Sequence, residues 1–284
     1  MSRLVVIGNS AVAVVLASHG SSSHERINRP MFELAEKIAS KLDVFVTPAF
    51  LDGQPDVRSI ANEIYQSQIV VIPFMASNGY YTDVVFKKAF SKTICGEKQV
   101  HMSPAIGTYS ELVGLVETRI EKLTAAYSAS ELKESTFVVV GHGTRKNKNS
   151  CRSTIDLVKS LRGRRPALEI QFAFIDQNPS VGHIIQRIQT RNVVVLPFMM
   201  GLGPHVTQDI PNAFGVTDFD QVVFKDEFEF PFEQKVVGRI GRIENVVCDQ
   251  PIGNYSELSD LCVSIAKKRL QSNERNNEHH KEVV

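Results

Sequence analysis

Charge of one sign is what this chain lacks. Its 32 lysines and arginines nearly balance 31 aspartates and glutamates, leaving a net charge of +1. That gives no electrostatic case for partners such as nucleic acid or a membrane surface. Cysteine is scarce as well. Cys95, Cys151, Cys248 and Cys262 lie far apart without a Cys-x-x-Cys pair, so neither a zinc knuckle nor a disulfide framework is suggested. The expected compartment is a reducing cytoplasm. No apolar stretch reaches the length of a membrane span. The run Leu4 to Leu16, behind Arg3, loosely resembles a signal peptide. Gly8-Asn9-Ser10 interrupts it, and its end reads better as a core strand.

What the chain does have is a second copy of itself. Leu16-Ala17-Ser18-His19-Gly20-Ser21 recurs as Val139-Val140-Gly141-His142-Gly143-Thr144. Ala49-Phe50-Leu51-Asp52 with Pro55 recurs as Ala173-Phe174-Ile175-Asp176 with Pro179. Val70-Val71-Ile72-Pro73-Phe74-Met75 recurs as Val194-Val195-Leu196-Pro197-Phe198-Met199, with Gly79 matching Gly203. Gly107-Thr108-Tyr109-Ser110-Glu111-Leu112 recurs as Gly253-Asn254-Tyr255-Ser256-Glu257-Leu258. The period is of domain length, so the chain reads as two tandem domains rather than a solenoid. Their expected extents are 1–127 and 136–271, with a polar tail over 272–284.

Each half alternates β-branched runs with amphipathic stretches. In the first half, strands are predicted near 12–17, 43–50 and 69–74, with a weaker one near 99–103. Helices are predicted near 30–41, 56–66, 82–91 and 108–126, the first with Asn28 as a cap and Pro30 in its first turn. Continuous apolar strands between helices imply α/β domains of flavodoxin-like type, each a parallel sheet covered on both faces. Ser128–Glu134 is read as the linker. Thr217–Glu233 is extra in the second copy and is read as an added edge strand and turn in preference to a lid. The tail beyond Leu270 is polar and is expected to be disordered.

Ligands of open parallel sheets bind at the carboxyl ends of the strands. His19 and His142 follow the first strand of each half, and Asp52 and Asp176 the second. Gly79 and Gly203 follow the third, with His205 two residues on. His142, Asp176 and His205 are therefore expected to converge. Two imidazoles and a carboxylate suit Fe²⁺, Co²⁺, Ni²⁺ or Zn²⁺, and they also suit proton abstraction. Competing readings are plainer. Asp52 and Asp176 each precede a helix and are candidates for its cap. His101 and His183 have no motif around them, and His279-His280 is a lone pair in the tail.

These motifs, in this order and duplicated, resemble the class II tetrapyrrole chelatases, and the two-domain sirohydrochlorin cobalto- or ferrochelatases in particular. The resemblance spans about residues 12–126 and 136–271. It implies chelatase-like domains that clasp a planar macrocycle, in a monomer whose halves form an internal pseudo-dimer. The partner it implies is a tetrapyrrole substrate of sirohydrochlorin type, with Co²⁺ or Fe²⁺ as substrate metal and no tightly bound cofactor. His142 and His205 match the family's metal-receiving pair, and Asp176 falls where the family commonly has glutamate. In the first half His19 matches but Tyr81 replaces the second histidine. Tyrosine is a poor, high-pKa ligand for Fe²⁺ or Co²⁺ near neutral pH, so the second half is expected to carry the chemistry.

Substrate contacts are expected from Arg145, Lys146, Gly203, His19 and Tyr81. Lys148 and Arg152, and in the first half His24, Arg26 and Arg29, are further cations for the substrate's carboxylates. Two other functions stay open on the sequence: a tetrapyrrole or metal carrier on the same fold, and a lyase using His142 as acid or base.

Overall fold

The computed structural model describes residues 10–23, 25–144, 149–215 and 232–281. It divides into two compact units, Met1–Thr108 with Ser256–Val284, and Tyr109–Tyr255. The first contains β1 (Val12–Ser18), β2 (Phe45–Phe50), β3 (Gln68–Pro73) and β4 (Gln99–Met102). All are parallel, in the order β2-β1-β3-β4. The second contains β5 (Ser135–Gly141), β6 (Glu169–Phe174), β7 (Asn192–Phe198), β8 (Phe232–Ile240) and β9 (Ile243–Cys248). Its order is β6-β5-β7-β9-β8, parallel except for the antiparallel edge strand β8.

The sequence dictates this arrangement through burial. Ala13 to Ala17 in β1 and Phe137 to Val140 in β5 have no exposed surface. A strand buried on both faces needs helices on each side, as the apolar runs required. Burying one Val or Leu side chain this completely contributes about 1.5–3 kcal/mol. The amphipathic helix Arg29–Leu42 supplies one cover, burying Met31, Leu34, Ala35, Ile38 and Ala39. It ends on Asp43, whose left-handed backbone (φ 53°) turns the chain into β2.

Several local expectations change. Asn28 precedes the helix, but its side chain does not cap it. The amide instead pins the loop after His19: Nδ2 donates to Ser21 O at 2.9 Å and Oδ1 accepts from Ser21 N at 3.0 Å. Asp52 and Asp176 are not caps either. Asp56 caps Val57–Glu63 by accepting from Arg58 N and Ser59 N, and Ser180 caps Val181–Ile185 by accepting from His183 N. Ser128–Glu134 is more than a linker. Ser128 and Glu131 form a reciprocal capping box at the start of the helix Ala129–Lys133. The last helix, Leu258–Lys281, continues through the stretch that the sequence assigned to disorder. Gln, Glu, Arg and Lys in that stretch are good helix formers, and polarity alone does not break a helix already nucleated by a packed stem. Most of the 217–233 segment lies outside the described residues; its end, Phe232-Glu233, begins β8.

The helix that closes each sequence repeat packs in the other unit. Leu112–Leu123 follows the first repeat's last common block yet belongs to the unit of β5–β9. There Arg119 makes a bidentate pair with the fully buried Asp249, Nε lying 3.0 Å from Oδ1 and 2.8 Å from Oδ2. Tyr255 Oη donates to the same carboxylate at 2.7 Å. Leu258–Lys281 conversely packs on Arg29–Leu42, where Lys41 Nζ donates to Ser259 Oγ at 2.9 Å and Asp260 Oδ1 at 2.7 Å. No described helix is long and apolar enough to cross a membrane.

Candidate active site

The polar residues singled out above gather at the carboxyl ends of β5, β6 and β7. Gly141 ends β5, and the backbone then turns through Gly143 in the left-handed region (φ 69°). A Cβ there would lie 2.6 Å from Gln177 Cγ, so the turn needs glycine on both counts. The turn presents His142 at the strand end, with Nδ1 2.7 Å from Gly143 O. A carbonyl oxygen only accepts, so Nδ1 carries the proton and Nε2 of the neutral ring keeps its lone pair. Asp176, after β6, brings Oδ2 to 3.4 Å from the same Nδ1.

His205 opens a single π-helical turn, His205–Asp209, after β7. Such turns recur at functional sites because the extra residue re-aims side chains. Gly203 anchors it by accepting from Val206 N at 2.9 Å and Thr207 N at 3.1 Å, and a Cβ at Gly203 would meet open space. His205 Nδ1 donates to Asp209 Oδ2 at 2.6 Å. The two rings stand nearly perpendicular, at 82°, with centroids 4.8 Å apart. Imidazoles sharing one ion at a metal–nitrogen distance of about 2.0–2.1 Å have centres about 5 Å apart at a tetrahedral angle. The separation of the two ring centroids is close to that spacing. Among the described residues, no three His, Cys, Asp or Glu side chains are gathered in a metal-holding cluster.

The first half builds the same frame with different chemistry. His19 Nδ1 lies 3.2 Å from Gly20 O, and its ring meets Tyr81 edge-on at 84° and 5.7 Å. Tyr81 opens its own π-turn, Tyr81–Phe86, and stands against Tyr80 at 5.8 Å. Asp52 is occupied by Ser22. Side-chain and backbone hydrogen bonds from Ser22, in that order, hold its carboxyl below the usual range, with His19 a smaller contributor.

The expected substrate cations divide. Arg145, Lys146, Lys148 and His24 lie outside the described residues. Arg152 faces Asp156 at 3.7 Å, and Arg29 donates to Glu33 at 2.9 Å, each along its own helix. Asp209 is the residue sequence reasoning missed. Its signal was present: an acid four residues after a histidine on a helix faces it.

A family model, CbiX, matches residues 13–123 and again 136–269, which takes in all three site residues and their first-half counterparts. The chain belongs to the CbiX family of two-domain class II chelatases. This CbiX chain is 25% identical over 222 residues to a probable sirohydrochlorin cobaltochelatase of Halobacterium salinarum, covering 70% of this chain and 75% of the relative. Its fold is that of SirB from Bacillus subtilis, solved with Fe³⁺ (TM-score 0.69, 13% identity, 93% of this chain and 97% of SirB). It also matches DR2241 from Deinococcus radiodurans, a multi-domain protein with structural similarity to chelatases (TM-score 0.68, 15% identity, 90% of this chain). The CbiX chain spans 54% of that longer protein, which carries two additional domains. At these identities the solved structures establish the chelatase-like α/β fold alone.

Proposed function

We propose that this chain inserts Co²⁺ or Fe²⁺ into sirohydrochlorin or a related precorrin, in siroheme or cobalamin synthesis, and that its second half carries the chemistry. The observation that supports this most is the His142–His205 pair at 4.8 Å, with both Nδ1 atoms committed to oxygen acceptors. Both Nε2 atoms are then the available donors. Imidazole suits either metal, and cellular supply selects between them.

Metal insertion asks for two things at once: the ion must shed water, and two pyrrole N–H protons must leave. A pair of imidazoles holds the substrate ion with few protein ligands and so releases it readily to the four ring nitrogens. Once the ion has passed, either imidazole is free to accept a proton. Asp176 Oδ2 stands 3.4 Å from His142 Nδ1, on the side of the ring away from Nε2. Arg145 and Lys146, next to the His142 turn in sequence, are assigned to the substrate's carboxylates. His19 and Tyr81 are assigned to holding the ring and not to the metal. The chain acts as a monomer in this reading, with no further cofactor.

The test is to mix the purified protein with sirohydrochlorin and Co²⁺ or Fe²⁺ and follow the macrocycle's absorption spectrum. Rapid metallation above the uncatalysed rate is expected. A spectral change on binding without metallation identifies a carrier, and no spectral response rejects the tetrapyrrole reading.

A further inference from the structure

We propose that Asp209 is the positioning residue of the metal-receiving pair, and that the first half lacks metal capture because it lost this carboxylate together with the imidazole. The inference rests on the reading of His142 and His205 as the site that receives the ion.

The two π-turns share a backbone hydrogen-bond register. Thr207 N donates to Gly203 O at 3.1 Å and Asp83 N donates to Gly79 O at 2.8 Å, an offset of 124 residues in both donor and acceptor. Ile210 and Phe86, at the same offset, are both buried, at 1% and 0% exposure. In this register His205 corresponds to Tyr81 and Asp209 to Val85. The histidine and its carboxylate are thus present together in one half and absent together in the other. The ring geometry is otherwise retained, edge-on at 82° in one half and 84° in the other.

The two histidines of the pair are held differently. His142 is held by the backbone carbonyl of Gly143, one residue away. His205 has its Nδ1 hydrogen bond from Asp209. Without it the exposed ring is free to rotate about its side-chain bonds and to carry its proton on either nitrogen. A ligand nitrogen on a ring held this way is fixed in direction and in tautomer. Asp209 touches neither metal nor ring in this scheme, and acts only through His205.

Cobalt alone is the probe, titrated into the whole metal-free protein while the visible ligand-field bands are recorded and dialysis counts the ions. Asp209→Ala is expected to weaken Co²⁺ binding about 10- to 100-fold and alter the bands, with an unchanged unfolding midpoint. Asp209→Asn, which still accepts from Nδ1, is expected to recover part of the affinity. Tyr81→His alone is expected to leave the count at one ion per chain, and Tyr81→His with Val85→Asp to raise it to two. Wild-type affinity and bands in Asp209→Ala, or a second ion bound by Tyr81→His alone, would overturn the proposal and leave the metal-receiving pair standing. A wild-type protein that binds no Co²⁺ through His142 and His205 would overturn that reading and the proposal with it.

Discussion

The two halves share a frame and differ in what the frame holds. Each has a parallel sheet, a His-Gly turn after its first strand and a π-turn after its third. In the second half the turns bring two imidazoles to 4.8 Å, each with an oxygen on Nδ1 and a carboxylate beside it. In the first, the same turns bring His19 to Tyr81, while Asp52 is taken by Ser22. A fold that positions side chains does not determine their chemistry; a few substitutions at fixed backbone positions separate a pair of imidazoles from a histidine set against tyrosines.

The docked helices differ in the same manner. Asp249 and Ser103 occupy equivalent places, their amides donating to Val195 O and Val71 O at 2.9 Å. Asp249 is neutralised there by Arg119, whereas Ser103 donates to Pro104 O at 2.8 Å and Ile265, in the place of Arg119, is buried. One helix is keyed to its sheet by charge and the other by apolar packing.

Four experiments sharpen or break this comparison. The largest effect on activity belongs to His142→Ala, expected to lower the insertion rate at least 100-fold, about 2.7 kcal/mol of transition-state stabilisation. Tetrapyrrole binding, read from the change in the macrocycle spectrum without metal, should persist. Arg119→Ala strands the Asp249 carboxylate in the core and is expected to cost about 3–5 kcal/mol. Urea unfolding measures this, and Ser103→Ala is expected to cost well under about 1 kcal/mol beside it. Asp176→Asn, which removes the carboxylate 3.4 Å from His142 Nδ1, should slow insertion roughly 10-fold while leaving metal stoichiometry unchanged. The smallest effect concerns acid. Glu117 is held below its ordinary pKa first by Arg164 and then by Arg165. A depressed carboxylate contributes stability above its unfolded pKa of about 4.3 and loses it as pH falls through the folded value. Glu117→Gln should therefore cost below about 1 kcal/mol at pH 7 and make the acid limb of a stability–pH profile shallower.

Much of this was legible in the sequence. The unbroken apolar strands announced a parallel sheet, and the strand-end histidines and acids were found where a strand end places them. Asn28 was misread because an amide beside a helix start serves a cap or a loop equally well, and only the position of Ser21 decides between them. The one-turn helix after Ser128 was legible in principle, since Ser128-Ala-Ser-Glu131 spells the capping box. The exchange of closing helices was not. Two copies of one sheet offer a repeat's last helix equivalent surfaces, and similarity between the copies does not say which it chooses. Asp209 lies outside every repeated block, and its place beside His205 depends on the helical spacing of the turn that holds both.

A side-by-side comparison of His205→Ala and His19→Ala tests most directly whether the second half performs metal insertion. Initial rates of Co²⁺ or Fe²⁺ insertion into sirohydrochlorin are measured at equal protein and substrate concentrations. His205→Ala is expected to lose at least 100-fold while still binding the macrocycle, and His19→Ala to fall only a few-fold. A His19→Ala protein that is inactive beside an active His205→Ala protein would place the chemistry in the first half and contradict this expectation.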